Sequence, residues 1–131
     1  MAEAKLPPPS LQAIEALYAT GYGLFRQGRL ADAESVFRAM VYMSPQDERA
    51  WLALGVCYEA QEHLDMALQI YASANRWLGS APRCEIARAR ILRAYGRPHE
   101  ARRALAQASR SPLAAQDREL RAIIADEWVR R

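Results

Sequence analysis

Reactive side chains are scarce in this 131-residue chain, and none is spaced for catalysis. Cys57 and Cys84 lack the CxxC spacing of a metal or redox pair; Cys57 reads as a buried structural thiol and Cys84 lies near a helix start. His63 and His99 have no ligand or nucleophile at useful spacing and read as solvated or locally bonded. The chemistry that remains is recognition. Tyr18, Tyr22, Phe25, Leu52, Val56 and Ile86 are rings and aliphatics suited to anchoring another polypeptide, while Arg26, Arg90 and Arg93 could take carboxylates or backbone carbonyls. Glu59 is the one carboxylate in this set and has no acid or histidine beside it, so no enzyme, metal or cofactor is expected.

The elements that must position these residues follow from a spacing of 34 residues. Gly28, Glu62 and Gly96 share one slot, and Ala33, Ala67 and Ala101 the next. Phe37, Tyr71 and Leu105 share a third, and Met40, Ala74 and Ala108 a fourth. This period and these residue types are the signature of tetratricopeptide hairpins, paired helices that stack into an array. The expected fold is therefore all-α: three such hairpins (14–47, 48–81 and 82–115) in a right-handed superhelix, preceded by a Pro-containing lead (1–13) and closed by a capping helix (116–131). Gly21 and Gly55 are expected to lie against Ala33 and Ala67, where two helices cross closely. The third unit departs furthest, with Glu85 and Arg88 one period after Trp51 and Leu54.

Punctuation sets the helix limits. Ser10 is placed to cap a helix reaching about Gln27, and Gly28 ends it. Further helices are expected over about Leu30–Met43, Asp47–Gln61, Leu64–Trp77, Arg83–Ala94 and Pro98–Arg110, with Pro98 in a first turn that needs no N–H from it. A last helix from about Gln116 to Arg130 places Leu120, Ile123, Ile124 and Trp128 along one stripe. Within each hairpin the first helix supplies most inward side chains. These are Tyr18, Tyr22, Phe25 and Arg26 in the first unit, Leu52, Val56, Glu59 and Ala60 in the second, and Ile86, Arg90 and Arg93 in the third.

Composition narrows the class further. With 51% hydrophobic and 25% charged residues the chain reads as an ordinary globular domain without a membrane-spanning run, and Met1–Ser10 does not resemble a secretory signal, so a cytoplasmic location is expected. Residues 1–81 carry six basic and nine acidic side chains, whereas residues 82–131 carry twelve and six. Basic character in the second half alone does not make a nucleic-acid site, because no aromatic platform is interleaved there to stack bases.

The run Leu17-Tyr18-Ala19-Thr20-Gly21-Tyr22, followed by Gln27 to Glu34 and Val36-Phe37-Arg38-Ala39, resembles the first repeat of class II chaperones of type III secretion translocators. Leu52-Ala53-Leu54-Gly55, Asp65 to Tyr71 and Ala81-Pro82-Arg83 continue the likeness, which covers about residues 14–110. The resemblance implies a bacterial cytoplasmic protein with no membrane insertion, holding an extended N-terminal segment of a translocator in its concave groove and keeping that client soluble for export. It also leaves a homodimer open. A tetratricopeptide scaffold or assembly subunit binding another protein is the alternative from the same residues.

Overall fold

The computed structural model describes residues 9–130, so most of the Pro-containing lead expected at 1–13, and the reading of it as no secretory signal, fall outside the described residues. Eight helices follow in order: α1 Leu11–Arg26, α2 Leu30–Met43, α3 Glu48–Ala60, α4 Leu64–Leu78, α5 Pro82–Ala94, α6 Pro98–Ser109, α7 Pro112–Gln116 and α8 Arg118–Val129. The first six form three hairpins, each stacked on the next. No described helix is long and apolar enough to cross a membrane.

Local chemistry explains the boundaries. Ser10 accepts a hydrogen bond from the Ala13 N–H at 3.0 Å, and Asp47 accepts one from Arg49 N–H at 3.0 Å, satisfying donors that a helix start leaves unpaired. Each hairpin turn closes in one way: the N–H groups of Arg29, His63 and Arg97 reach back to the carbonyls of Leu24, Tyr58 and Leu92 at 2.8–3.0 Å. That six-to-one bond needs a left-handed residue just before its donor. Gly28 and Gly96 supply it at φ 75°, whereas Glu62 is held at φ 63° despite its side chain.

The repeating slots form the core. Ala33, Ala67 and Ala101, then Phe37, Tyr71 and Leu105, then Met40, Ala74 and Ala108 are all buried. The two first-helix glycines do not lie closest to Ala33 and Ala67, as expected, but to rings. A Cβ on Gly21 would stand 2.7 Å from the Phe37 ring, and one on Gly55 only 2.1 Å from that of Tyr71. The reason is size: the ring one turn beyond each alanine reaches across the helix crossing to the backbone that the glycine leaves bare. In the third hairpin the same slot holds Ala89, buried in one cluster with Leu105, so a smaller partner goes with a larger first-helix residue.

Ionic pairs tie successive hairpins along the edge where first helices begin. Arg49 reaches Glu15 at 2.6 Å, and Arg83, one period later, reaches Asp117 at 3.2 Å. Glu48 accepts from the N–H groups of Arg83 and Cys84 at 2.9 and 3.1 Å, capping α5 from the preceding repeat. Desolvation pushes the Glu48 carboxyl upward despite these donors.

Glu85 occupies the slot that holds Trp51 one period earlier, and it is 1% exposed. Its Oε2 accepts from Arg88 at 3.3 Å, while Oε1 has no hydrogen-bond partner. Burial pushes this carboxyl above the usual range, outweighing the pull of Arg88. An unsatisfied buried acceptor costs about 1–3 kcal/mol, so Glu85→Met, similar in volume, is expected to stabilise the fold by about 1 kcal/mol. Because the native carboxyl is favoured in its protonated form, the wild-type penalty shrinks as pH falls toward its folded-state pKa and below. Melting temperatures should therefore differ more near neutral pH than in mild acid, and an equal or reversed difference would contradict the assignment.

The closing segment departs from expectation. Instead of one helix from Gln116, a short α7 runs over Pro112–Gln116, capped by Ser111, and α8 starts after Asp117, whose Oδ1 accepts from Leu120 N–H at 3.0 Å. Arg121 folds back to donate to the carbonyls of Ala114 and Ala115 at 3.0 and 2.7 Å, filling acceptors freed where α7 ends. The expected stripe is also altered. Leu120 and Ile124 are buried, but Ile123 and Trp128 are 37% and 40% exposed, and the third buried residue of α8 is Glu127.

Candidate functional site

Successive first helices lie one period apart, so their inward residues form columns. Tyr18, Leu52, Ile86 and Leu120 share one, and Tyr22, Val56, Arg90 and Ile124 a second. Phe25, Glu59, Arg93 and Glu127 share a third. The fourth member of each column lies on α8. Of these Leu120 reaches the groove wall, joined by Ile123 from outside the columns, so α8 does more than cover the array's end.

Two cavities run along these columns. The first, about 260 Å³, is lined by Tyr18, Tyr22, Phe25, Phe37, Leu52 and Val56, with Arg49 and Ala53 completing it. The second, about 650 Å³, is lined by Leu52, Val56, Glu59, Ile86, Leu120 and Ile123, with Arg83 and Arg90 among its walls. Leu52 and Val56 line both, so the two cavities join over α3 into one groove, aromatic toward α1 and aliphatic toward α8.

The aromatic end is preset. Tyr18 and Tyr22, one turn apart on α1, stack at 6.0 Å between ring centroids, and Tyr18 packs against Phe37 at 6.1 Å. Arg49 lies over the Tyr18 ring at 4.9 Å and Arg26 over the Tyr22 ring at 5.0 Å. Tyr22 is 45% exposed, whereas Tyr18 and Phe25 are half-buried against the core. Groove and core readings thus meet in the same tyrosine.

At the aliphatic end, Ile86 is buried and forms floor, not an open anchor. Glu59 accepts a hydrogen bond from the Tyr71 hydroxyl, whose pKa is pushed far up by burial and then by the carboxylate itself. Tyr71 therefore stays a donor beneath the groove.

The arginines of the third hairpin were expected to be free for a client, and they are occupied. Glu127 accepts from Arg90 Nε at 2.7 Å and Arg93 Nη2 at 2.6 Å, and its backbone carbonyl accepts from Arg93 Nη1 at 3.1 Å. Arg90 still borders the large cavity, but Arg93 lines a separate hollow with Glu127 and Trp128. Burial works against the ionised Glu127 carboxylate, yet the two guanidiniums together hold its pKa below the usual range.

Sequence reasoning missed Arg49, Arg83, Leu120 and Ile123 as lining residues. The signal was present, since Leu120 stands one period after Ile86, but α8 was read only as a cap. Both cysteines are free and buried, and burial raises their thiol pKa values, Cys57 to about 11, so neither presents a reactive thiolate near neutral pH.

Comparison with known proteins agrees with this geometry. The tetratricopeptide repeat family matches residues 24–91, just over half the chain. The low calcium response locus protein H of Yersinia pestis is 32% identical over 63 residues, covering 48% of this chain and 38% of that protein. The match thus spans well under half of that relative. Among solved structures, the type III secretion translocator chaperone SycD of Yersinia enterocolitica superposes with a TM-score of 0.74 at 26% identity, covering 89% of this chain and 88% of that one. PcrH of Pseudomonas aeruginosa, solved with the chaperone-binding region of PopB, gives 0.76 at 27% identity, covering 94% and 98%. Hairpins on a 34-residue period, ring-against-glycine crossings and the family match place the chain in the tetratricopeptide repeat family.

Proposed function

We propose that this protein is a non-catalytic chaperone of the bacterial cytoplasm that holds an extended, apolar-anchored segment of a type III secretion translocator, or a similar export client, in the groove described above. The observation that carries this reading is the joined pair of apolar cavities sharing Leu52 and Val56. Such a surface, concave and lined by rings and aliphatics, suits the alternating anchors of an unfolded strand. The repeat frames 14–47, 48–81 and 82–115 and the closing segment 116–131 then act as one binding unit.

Within that unit Tyr18, Tyr22, Phe25, Leu52 and Val56 would take anchors, Ile86 would form floor, and Arg26, Glu59 and Arg90 would face the client's polar atoms. Arg93 would act through Glu127, outside direct contact. Shielding apolar client segments until export is what a groove of this kind can do without any bond being made or broken.

Tyr22 is the cleanest probe, being the most exposed ring of the aromatic cavity. Tyr22→Ala is expected to weaken binding of a co-expressed translocator by about 1–3 kcal/mol while leaving the melting temperature nearly unchanged. Tyr18→Ala should lower both, because its ring also packs on Phe37. Calorimetric titration beside thermal melts checks this. Unaltered affinity in the Tyr22 variant would remove the aromatic cavity from the site.

A further inference from the structure

Most charged side chains along the groove are already matched by opposite charges. Arg49 lies 2.6 Å from Glu15 and 2.8 Å from Asp47, and Arg83 lies 3.2 Å from Asp117. Arg90 and Arg93 share Glu127. Two groove charges have no ionic partner among the described residues: Arg26, held over the Tyr22 ring, and Glu59, bonded only to the neutral Tyr71 hydroxyl.

These two are placed differently. Arg26 is exposed, and its guanidinium lies over the Tyr22 ring, which lines the aromatic cavity. Glu59 lines the aliphatic cavity, with one carboxylate oxygen engaged by Tyr71 and the other open. Arg26 beside one cavity and Glu59 in the wall of the other are thus the charges left to take an opposite charge from whatever lies in the groove.

We propose that the groove selects a bipolar client segment, with an acidic side chain flanking the anchor in the aromatic cavity and a basic side chain flanking the anchor in the aliphatic cavity. Arg26 and Glu59 are then specificity-determining residues. This rests on the binding reading above and adds to it the charge pattern of the client.

The test uses fluorescein-labelled peptides with two leucines about three to four residues apart, enough to span the roughly 10 Å between neighbouring helices. The flanking charges are Asp and Lys in either order, Asp at both flanks, or Lys at both. The better mixed peptide should bind the wild-type protein roughly three- to tenfold more tightly than either like-charged one, a preference that fades near 1 M salt. Arg26→Glu should make the double-Lys peptide the best binder. Glu59→Gln, which keeps an acceptor for Tyr71, should bring the double-Asp peptide level with the mixed one.

Peptides that bind equally regardless of charge, yet still weaken on Tyr22→Ala, would overturn the polarity while leaving the groove reading standing. Failure of every peptide to bind the folded wild-type protein would remove both.

Discussion

Alanine at Gly55 is expected to destabilise the protein by about 3 kcal/mol or more, the upper end of what overpacking a core costs. The added methyl would stand 2.1 Å from the Tyr71 ring, and Tyr71 is fully buried, tied to Glu59 and unable to withdraw without opening the crossing of α3 and α4. Helix propensity pushes the other way by only about 1 kcal/mol. Gly23 is the internal control. It also lies in a helix, but a Cβ there meets nothing within 4 Å, so Gly23→Ala should stabilise the protein by about 0.5–1 kcal/mol. Urea titrations of the two variants check the contrast, and two small effects of one sign would mean that the ring does not sit against the backbone of α3.

Glu127→Ala should have the second largest effect, about 2–3 kcal/mol, because it leaves the Arg93 guanidinium largely buried without its partner, while Arg90 can turn to water. The loss should concentrate in α8. Hydrogen exchange ought to accelerate across Arg118–Val129 before the hairpins respond, and client affinity should fall as Leu120 and Ile123 leave the groove wall. Acid should mimic the substitution. Since the folded state holds this carboxyl below its unfolded pKa, near 4.3, the contribution is full above that value and is lost as pH falls through the folded-state pKa. An α8 that exchanges no faster in the variant would show that the ion cluster does not secure it.

Much of this was legible in the chain because a repeat compares a sequence with itself. The slots of Ala33, Phe37 and Met40 recur with enough regularity to fix hairpins, turns and buried faces, and the columns from Tyr18 and Tyr22 locate most of the groove. What stayed hidden depends on long side chains whose partners lie far off in sequence. Arg90 and Arg93 looked available because nothing local claims them; Glu127 does so only once α8 folds back. Glu85 in a tryptophan slot gave no hint that it would be buried with an unmatched oxygen. The break between α7 and α8 was missed for a related reason: Asp117 is an ordinary cap signal, but its effect depends on Arg121 accepting the role of filling α7's free carbonyls.

Gly21, Gly55, Ala89 and Ile123 stand one period apart in the chain, and the side chain there grows along the series. Where the earlier members admit the flank of a following helix, Ile123 projects into the large cavity. The place where this array could be lengthened therefore lies within it, between its hairpins. A second copy of residues 48–81 inserted after the first would find matching faces on both sides and extend the channel by one rung.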